Sequence, residues 1–326
     1  MIDPQRIRDA HALLARHFGP TRIARAASLS SPGHDVFLKI ETDLPTGSFK
    51  VRGALYALSV NLARGAMTEV VCASTGNHGA AVAWAAQLLG VRATVFLPVE
   101  PNAVKAARIR ELGARLVESG VDLSAAIDAA SDYATGEGAF FLHDASDPHV
   151  PVGTATIGAE IVEQLPAVDV IYVPMGDTAL IRGVASAAKQ RRPSVRIVGV
   201  VAERAPAYRL SWQRARMTDG AGLMADSRQL NATDVIETAT CDTIADGLAI
   251  RRPLPQNVAA IRELVDGIVA VSEREMLTAI ALLREREDVI AEPAGAAATA
   301  AFLKQRDIAR TAVLLVTGRN IAASLS

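Results

Sequence analysis

The chain has 326 residues and a formal net charge of −1; half of its residues are hydrophobic and 21% are charged. That is long enough for one large or two moderate domains around a substantial core, and the balance offers no basic footprint for nucleic acid and no acidic tail. No run of about eighteen apolar residues exists to span a bilayer, the amino terminus has no apolar signal core, and the two cysteines, Cys72 and Cys241, make no disulfide framework and lack metal-ligand spacing. A cytoplasmic protein is expected.

In chain order, Ile7, Ala10, Leu13 and Leu14 recur at helical spacing and predict a helix over residues 3–16. Residues 36–40 read as a strand, after which Pro45 and Gly47 break the chain into a turn. Lys50 follows, ahead of a helical run at 54–58. Strands at 69–73, 93–97, 115–117 and 139–142 alternate with helices at 80–89, 104–112 and 123–134, and Gly90 and Gly113 sit where helix stops are expected. A second alternating block begins near Ile157, with strands at 170–173, 196–200, 267–271 and 312–316. This pattern predicts an α/β fold: two interlocked domains, each a mostly parallel sheet with helices on both faces. Residues 1–53 and 146–326 are expected to form the larger domain and 54–145 the smaller, with ligand beyond the carboxyl ends of the strands.

Taken alone, Lys50 reads as one solvated lysine among many. A lysine at a turn just before a helix can also stand near a positive helix end. That placement and partial desolvation both disfavour the ammonium, and Schiff-base chemistry requires the neutral amine. The neighbours decide between the two. Pro45-Thr46-Gly47-Ser48-Phe49-Lys50-Val51-Arg52-Gly53-Ala54 resembles the cofactor-lysine motif of the pyridoxal-phosphate enzymes of the tryptophan-synthase-β fold, in the serine/threonine dehydratase and serine racemase branch. The resemblance implies that Lys50, following Phe49, carries pyridoxal 5′-phosphate.

Other stretches resemble further segments of that family. Ser74-Thr75-Gly76-Asn77-His78-Gly79 follows a strand and opens a helix, so its N–H groups form a natural anion site. The resemblance gives this loop the substrate carboxylate and gives Asn77 the hydroxyl oxygen of the cofactor ring. Gly176-Asp177-Thr178-Ala179-Leu180 stands where the family has a tetraglycine phosphate loop followed by leucine. Only the first glycine remains, and the Asp177 side chain is expected to point away from the phosphate, capping the helix. Thr317, in Thr317-Gly318-Arg319-Asn320, takes the position that bonds the ring nitrogen, with Arg319 replacing a glycine. Gly247 and Glu292 lie in short segments that the family places near the cofactor. His143-Asp144-Ala145-Ser146-Asp147-Pro148-His149 matches no standard metal site, and Val201 stands where some relatives carry an acidic cation ligand, so no metal is expected.

The resemblance implies a lyase that removes the β-hydroxyl from a small amino acid such as serine or threonine, giving a 2-oxo acid and ammonia. Lys50 is the expected base, and the cofactor phosphate the expected proton donor to the leaving hydroxyl. Racemisation is the nearest rival, with Thr75 where the racemase branch has a serine. The altered phosphate loop also resembles the hydroxyectoine-utilisation dehydratase subgroup, whose substrate would be a hydroxyectoine-derived amino acid. A non-catalytic pyridoxal-phosphate-binding protein is the reading from another class, opposed by Lys50 and Asn77. The chain ends at Ser326, soon after the last motif, so an appended regulatory domain is not expected; a homodimer is implied by the resemblance.

Overall fold

The structure, a computed structural model, describes residues 1–65, 67–74, 76–101, 103–220, 235–305 and 309–321. Thr75, one of the expected substrate-loop residues, lies outside them. Among the described residues, two sheets carry the molecule. The first contains β1 (Ile23–Arg25), β2 (Asp35–Ile40), β7 (Val170–Pro174), β8 (Arg196–Ala202), β9 (Gly267–Val271) and β10 (Thr311–Val316), in the order β1-β2-β10-β7-β8-β9. All its pairs are parallel except β1 with β2. The second contains β3 (Glu69–Ala73), β4 (Arg92–Leu97), β5 (Arg115–Glu118) and β6 (Phe140–Phe141), all parallel, in the order β5-β4-β3-β6.

The strands are nearly continuous apolar runs because helices cover both faces. Along β7, Val170 and Tyr172 join the core beneath α10 (Glu273–Glu287) and α11 (Pro293–Gln305). Ile171 and Val173 point the other way, among residues of α6 (Val150–Gln164), α7 (Ala179–Arg191), α8 (Ala207–Gly220) and α9 (Pro255–Leu264). This is the two-residue period of a strand buried on both sides. The smaller sheet is covered by α2 (Lys50–Arg64), α3 (Asn77–Leu89) and α4 (Ala103–Glu111) on one face and α5 (Leu123–Glu137) on the other, while α1 (Pro4–Leu14) packs on α6 and α2. Gly90 ends α3 with φ 69°, a left-handed conformation that glycine adopts without steric cost. Among the described residues, no helix is long and apolar enough to cross a membrane.

One buried ionic network holds the start of α2 in place. Arg52 is 1% exposed. Its guanidinium donates to Glu41 Oε2 at 2.8 Å and to the two Glu160 oxygens at 2.6 and 3.0 Å. Lys39 Nζ donates to the same Glu160 at 2.6 Å, and Thr21 Oγ1 donates to Glu41 at 2.6 Å. Strand β2, the turn after it, α2 and α6 are thereby tied at one point. Two further bonds clamp the Pro45–Gly47 turn to the exit of β10: Phe49 N–H to Thr317 O at 3.0 Å and Arg319 N–H to Gly47 O at 3.0 Å. Lys50 is consequently the first residue of α2. The sequence had placed it in the turn ahead of a helix at 54–58; the buried run 51–58 draws the helix back to Lys50.

Candidate active site

The loops leaving β2, β3, β6, β7 and β10 converge on a cavity of about 540 Å³. Phe49 and Lys50 line it from the start of α2, and Ser74, Gly76, Asn77 and His78 from the β3–α3 junction. Gly176, Asp177, Thr178 and Leu180 line it from the β7–α7 junction, and Gly247, Glu292 and Thr317 close the remaining wall. Ala179 is the one described member of the expected set that does not line the cavity; its methyl lies in the core and its N–H donates to Asp177 Oδ1 at 2.7 Å.

Asp177 departs from expectation. It does cap the start of α7 through that bond, but its other oxygen turns inward and accepts from Lys50 Nζ at 2.7 Å. Asp144, which the sequence reading had passed over as part of a rejected metal motif, accepts from the same Nζ at 2.6 Å. The charge state expected for Lys50 is therefore wrong for the chain without cofactor. Burial does pull its pKa down, but the two carboxylates outweigh burial and raise it above the ordinary lysine value. Burial alone would push the Asp144 carboxyl up, yet His78 and Lys50 hold it well below the usual range. His78 is buried, which lowers its pKa; its Nε2 lies 3.3 Å from Leu142 O and its Nδ1 3.7 Å from Asp144.

Asn77 is set by two partners. Its Nδ2 donates to Glu292 Oε1 at 2.6 Å, and its Oδ1 accepts from Asn320 Nδ2 at 2.6 Å. Asn320 also donates to the Thr46 carbonyl at 2.8 Å, which that residue presents from a left-handed conformation, φ 64°. Asn320 is a further site residue. Its signal was present in the Thr317–Asn320 motif but was read only for Thr317.

The residues fit a ring-bearing phosphate cofactor. Among the described residues, no side chain caps α3, which leaves first-turn N–H groups at the cavity wall for an anion. Thr178 heads α7 at φ 74°, and its buried Oγ1 has no hydrogen-bond partner. Gly176 lets the Gly247 backbone pack close against the loop, since a Cβ there would run into the Gly247 carbonyl. An amine at Lys50, an amide at Asn77 and a hydroxyl at Thr317 face one cavity. Such a set can hold an aldehyde-bearing ring at three edges and its phosphate at a helix start.

This class of site agrees with the comparisons. Residues 14–318 match the family described as pyridoxal-phosphate dependent enzyme, and the chain belongs to that family. Pyridoxal phosphate is accordingly its cofactor. Among its relatives, the L-threonine ammonia-lyase of Thermotoga maritima is 35% identical over 327 residues, covering 100% of this chain and 77% of that protein. The T.th. threonine deaminase superposes with a TM-score of 0.85 at 31% identity, covering 98% of both chains. Maize serine racemase superposes with a TM-score of 0.85 at 28% identity, covering 99% of this chain and 94% of that one.

The Asp144–Lys50–Asp177 contact has a kinetic consequence for cofactor uptake. Because the Lys50 pKa is raised, the ion pair is intact below the ordinary lysine value and is lost as pH rises through the raised one. Only the neutral amine condenses with an aldehyde, so loading is expected to accelerate with pH. Asp177→Asn removes one carboxylate and is expected to speed uptake at pH 7 by about tenfold, the equivalent of one pKa unit. Stopped-flow absorbance after adding pyridoxal phosphate to the cofactor-free protein measures it; an unchanged rate would show that Asp177 does not hold the proton on Lys50.

Proposed function

We propose that the protein is an ammonia-lyase that eliminates the β-hydroxyl from a small β-hydroxy amino acid such as L-threonine or L-serine, yielding a 2-oxo acid and ammonia. The observation that carries this reading is the Lys50 amine, lining the same cavity as the N-terminus of α3. Bound pyridoxal phosphate supplies an electron sink for the bond broken at Cα. The chain does the rest. The N–H groups around Gly76–His78 orient the substrate carboxylate, and Lys50, once neutral, removes the α-proton. Thr317 would offer the cofactor ring a neutral hydroxyl rather than an acid, which would keep the sink moderate and favour prompt loss of the β-group over reversible exchange. Asn77, oriented by Asn320 and Glu292, would hold the cofactor ring.

The test is a keto-acid and ammonia assay of the loaded protein over serine, threonine, 3-hydroxyaspartate and hydroxyectoine-derived acids, with chiral analysis of the remaining substrate. Stoichiometric 2-oxo acid and ammonia from serine or threonine is the expected result. Inversion at Cα without keto acid would overturn it in favour of a racemase. The same reading carries a homodimeric, cytoplasmic enzyme, checked by sedimentation equilibrium and cell fractionation.

A further inference from the structure

We propose that Arg108 selects the substrate side chain and fits the cavity to a β-hydroxy amino acid that carries a second carboxylate, such as 3-hydroxyaspartate. The proposal rests on the elimination reading and names the substrate class within it. Arg108 stands in the last turn of α4 and lines the cavity that holds Lys50. Among the described residues, these two are the one arginine and the one lysine that line it. Lys50 Nζ is engaged by Asp144 and Asp177 at 2.6 and 2.7 Å. Arg108 is exposed, and among the described residues no hydrogen bond or ion pair engages its guanidinium.

The fold puts Arg108 at the substrate end of the cavity. Ile109, the next residue of α4, packs on the first turn of α3, where a Cβ on Gly79 would lie 3.1 Å from Ile109 Cδ1. That turn carries the N–H groups given above to the substrate α-carboxylate. The phosphate end, at the β7–α7 junction, belongs to the other sheet. The last turn of a helix favours cations whatever else they do, and Arg110 in the same turn is exposed as well. Arg110 does not line the cavity, whereas Arg108 does.

Charge decides which side chain gains from this placement. Asp144, Asp177, Asp246 and Glu292 face the same cavity and repel an added anion. A substrate with a second carboxylate therefore needs a cation of its own. Lys50 cannot serve, because it must be neutral to take the α-proton. A guanidinium with free N–H groups pairs with a carboxylate through two parallel bonds, while a methyl group gains nothing from it. L-Threonine and L-threo-3-hydroxyaspartate share their configuration at Cα and Cβ and differ only in methyl against carboxylate, so the pair isolates the contribution of Arg108. Each loses water across Cα–Cβ and regains it when ammonia is freed, giving 2-oxobutyrate and oxaloacetate respectively.

The test assays cofactor-loaded protein for 2-oxo acid and ammonia from both substrates. The wild type is expected to favour 3-hydroxyaspartate in kcat/KM by at least about tenfold, and in Arg108→Ala that preference should fall about 30-fold, mostly through KM, the size of one charge-assisted pair. Arg108→Lys should keep part of the preference, as a point charge without the fork, and added salt should erode it in the wild type, because Arg108 is exposed. Borohydride-fixed cofactor is measured for each variant, so poor loading is not mistaken for lost selectivity. Arg108→Gln gives the same readout should Arg108→Ala fail to fold. A wild type that prefers threonine, or a ratio that loss of Arg108 leaves unchanged, would overturn the proposal. Binding of unreactive L-aspartate and L-2-aminobutyrate, read from the absorbance of the bound cofactor, makes the same comparison without turnover. Wild-type protein that releases 2-oxo acid from neither substrate would sink the elimination reading itself; a preference for aspartate that depends on Arg108 would then still support the selector, and equal preferences in wild type and variant would end it.

Discussion

Lys50→Ala is expected to lower elimination by at least about 10⁴-fold, since it removes both the cofactor attachment point and the base. Borohydride should then fix no cofactor to the chain, while the start of α7 and Thr178 still bind phosphate weakly. Lys50 sits between two carboxylates at 2.6 and 2.7 Å, so the same substitution should also change proton binding. Without the ammonium, Asp144 loses one of the charges that hold its carboxyl below the usual range, so its pKa should rise. Lys50→Arg separates the two roles. It keeps a charge between the acids and should fold as the wild type does, yet a guanidinium stays protonated and cannot work as a base. Unchanged turnover in either variant would remove Lys50 from the chemistry.

Arg52→Ala is expected to be the most destabilising single change, by about 3–5 kcal/mol, because it leaves buried carboxylates without their partner. Arg52 is 1% exposed, and Glu41 and Glu160 are 0% and 3% exposed. Burial alone would push the Glu160 carboxyl up; Arg52 foremost and Lys39 hold it below the usual range. A depressed carboxylate stabilises the fold above its unfolded pKa and loses that contribution as pH falls through the folded value. The wild type should therefore weaken on acidification. The variant, in which Glu160 keeps its burial but loses the Arg52 charge, should be relieved by protonation, so the gap between the two narrows at low pH. Urea unfolding at pH 7 and near pH 4 measures both effects; a gap that stays constant across this range would show that the carboxylates do not carry the loss. Activity should fall too, since the network anchors the helix whose first residue is Lys50.

Much of the fold was legible because period and punctuation are local. The strands at Glu69–Ala73 and Gly267–Val271 coincide with runs read from hydrophobic pattern alone, and Gly90 closes a helix where a stop was expected. Short edge elements were less legible. β1 is three residues long, and β6 shrinks to Phe140–Phe141 from the strand expected at 139–142. Neither run is long enough for alternation to stand out. Asp144 was passed over for a different reason: it lies 94 residues from Lys50 along the chain, and nothing within its own neighbourhood distinguishes it from an ordinary loop acid.

The order of residues alone determined that strands and helices would alternate into parallel sheets, that Lys50 would follow a turn, and that helix starts would follow β3 and β7. These depend on side-chain period, on turn chemistry and on motifs of adjacent residues. Only the tertiary structure decided that Asp144 and Asp177 converge on Lys50 Nζ, and that Asn320 sets the Asn77 amide. A charge state is a sum over burial and every nearby charge, and those charges come together only when loops from two sheets meet at one cavity.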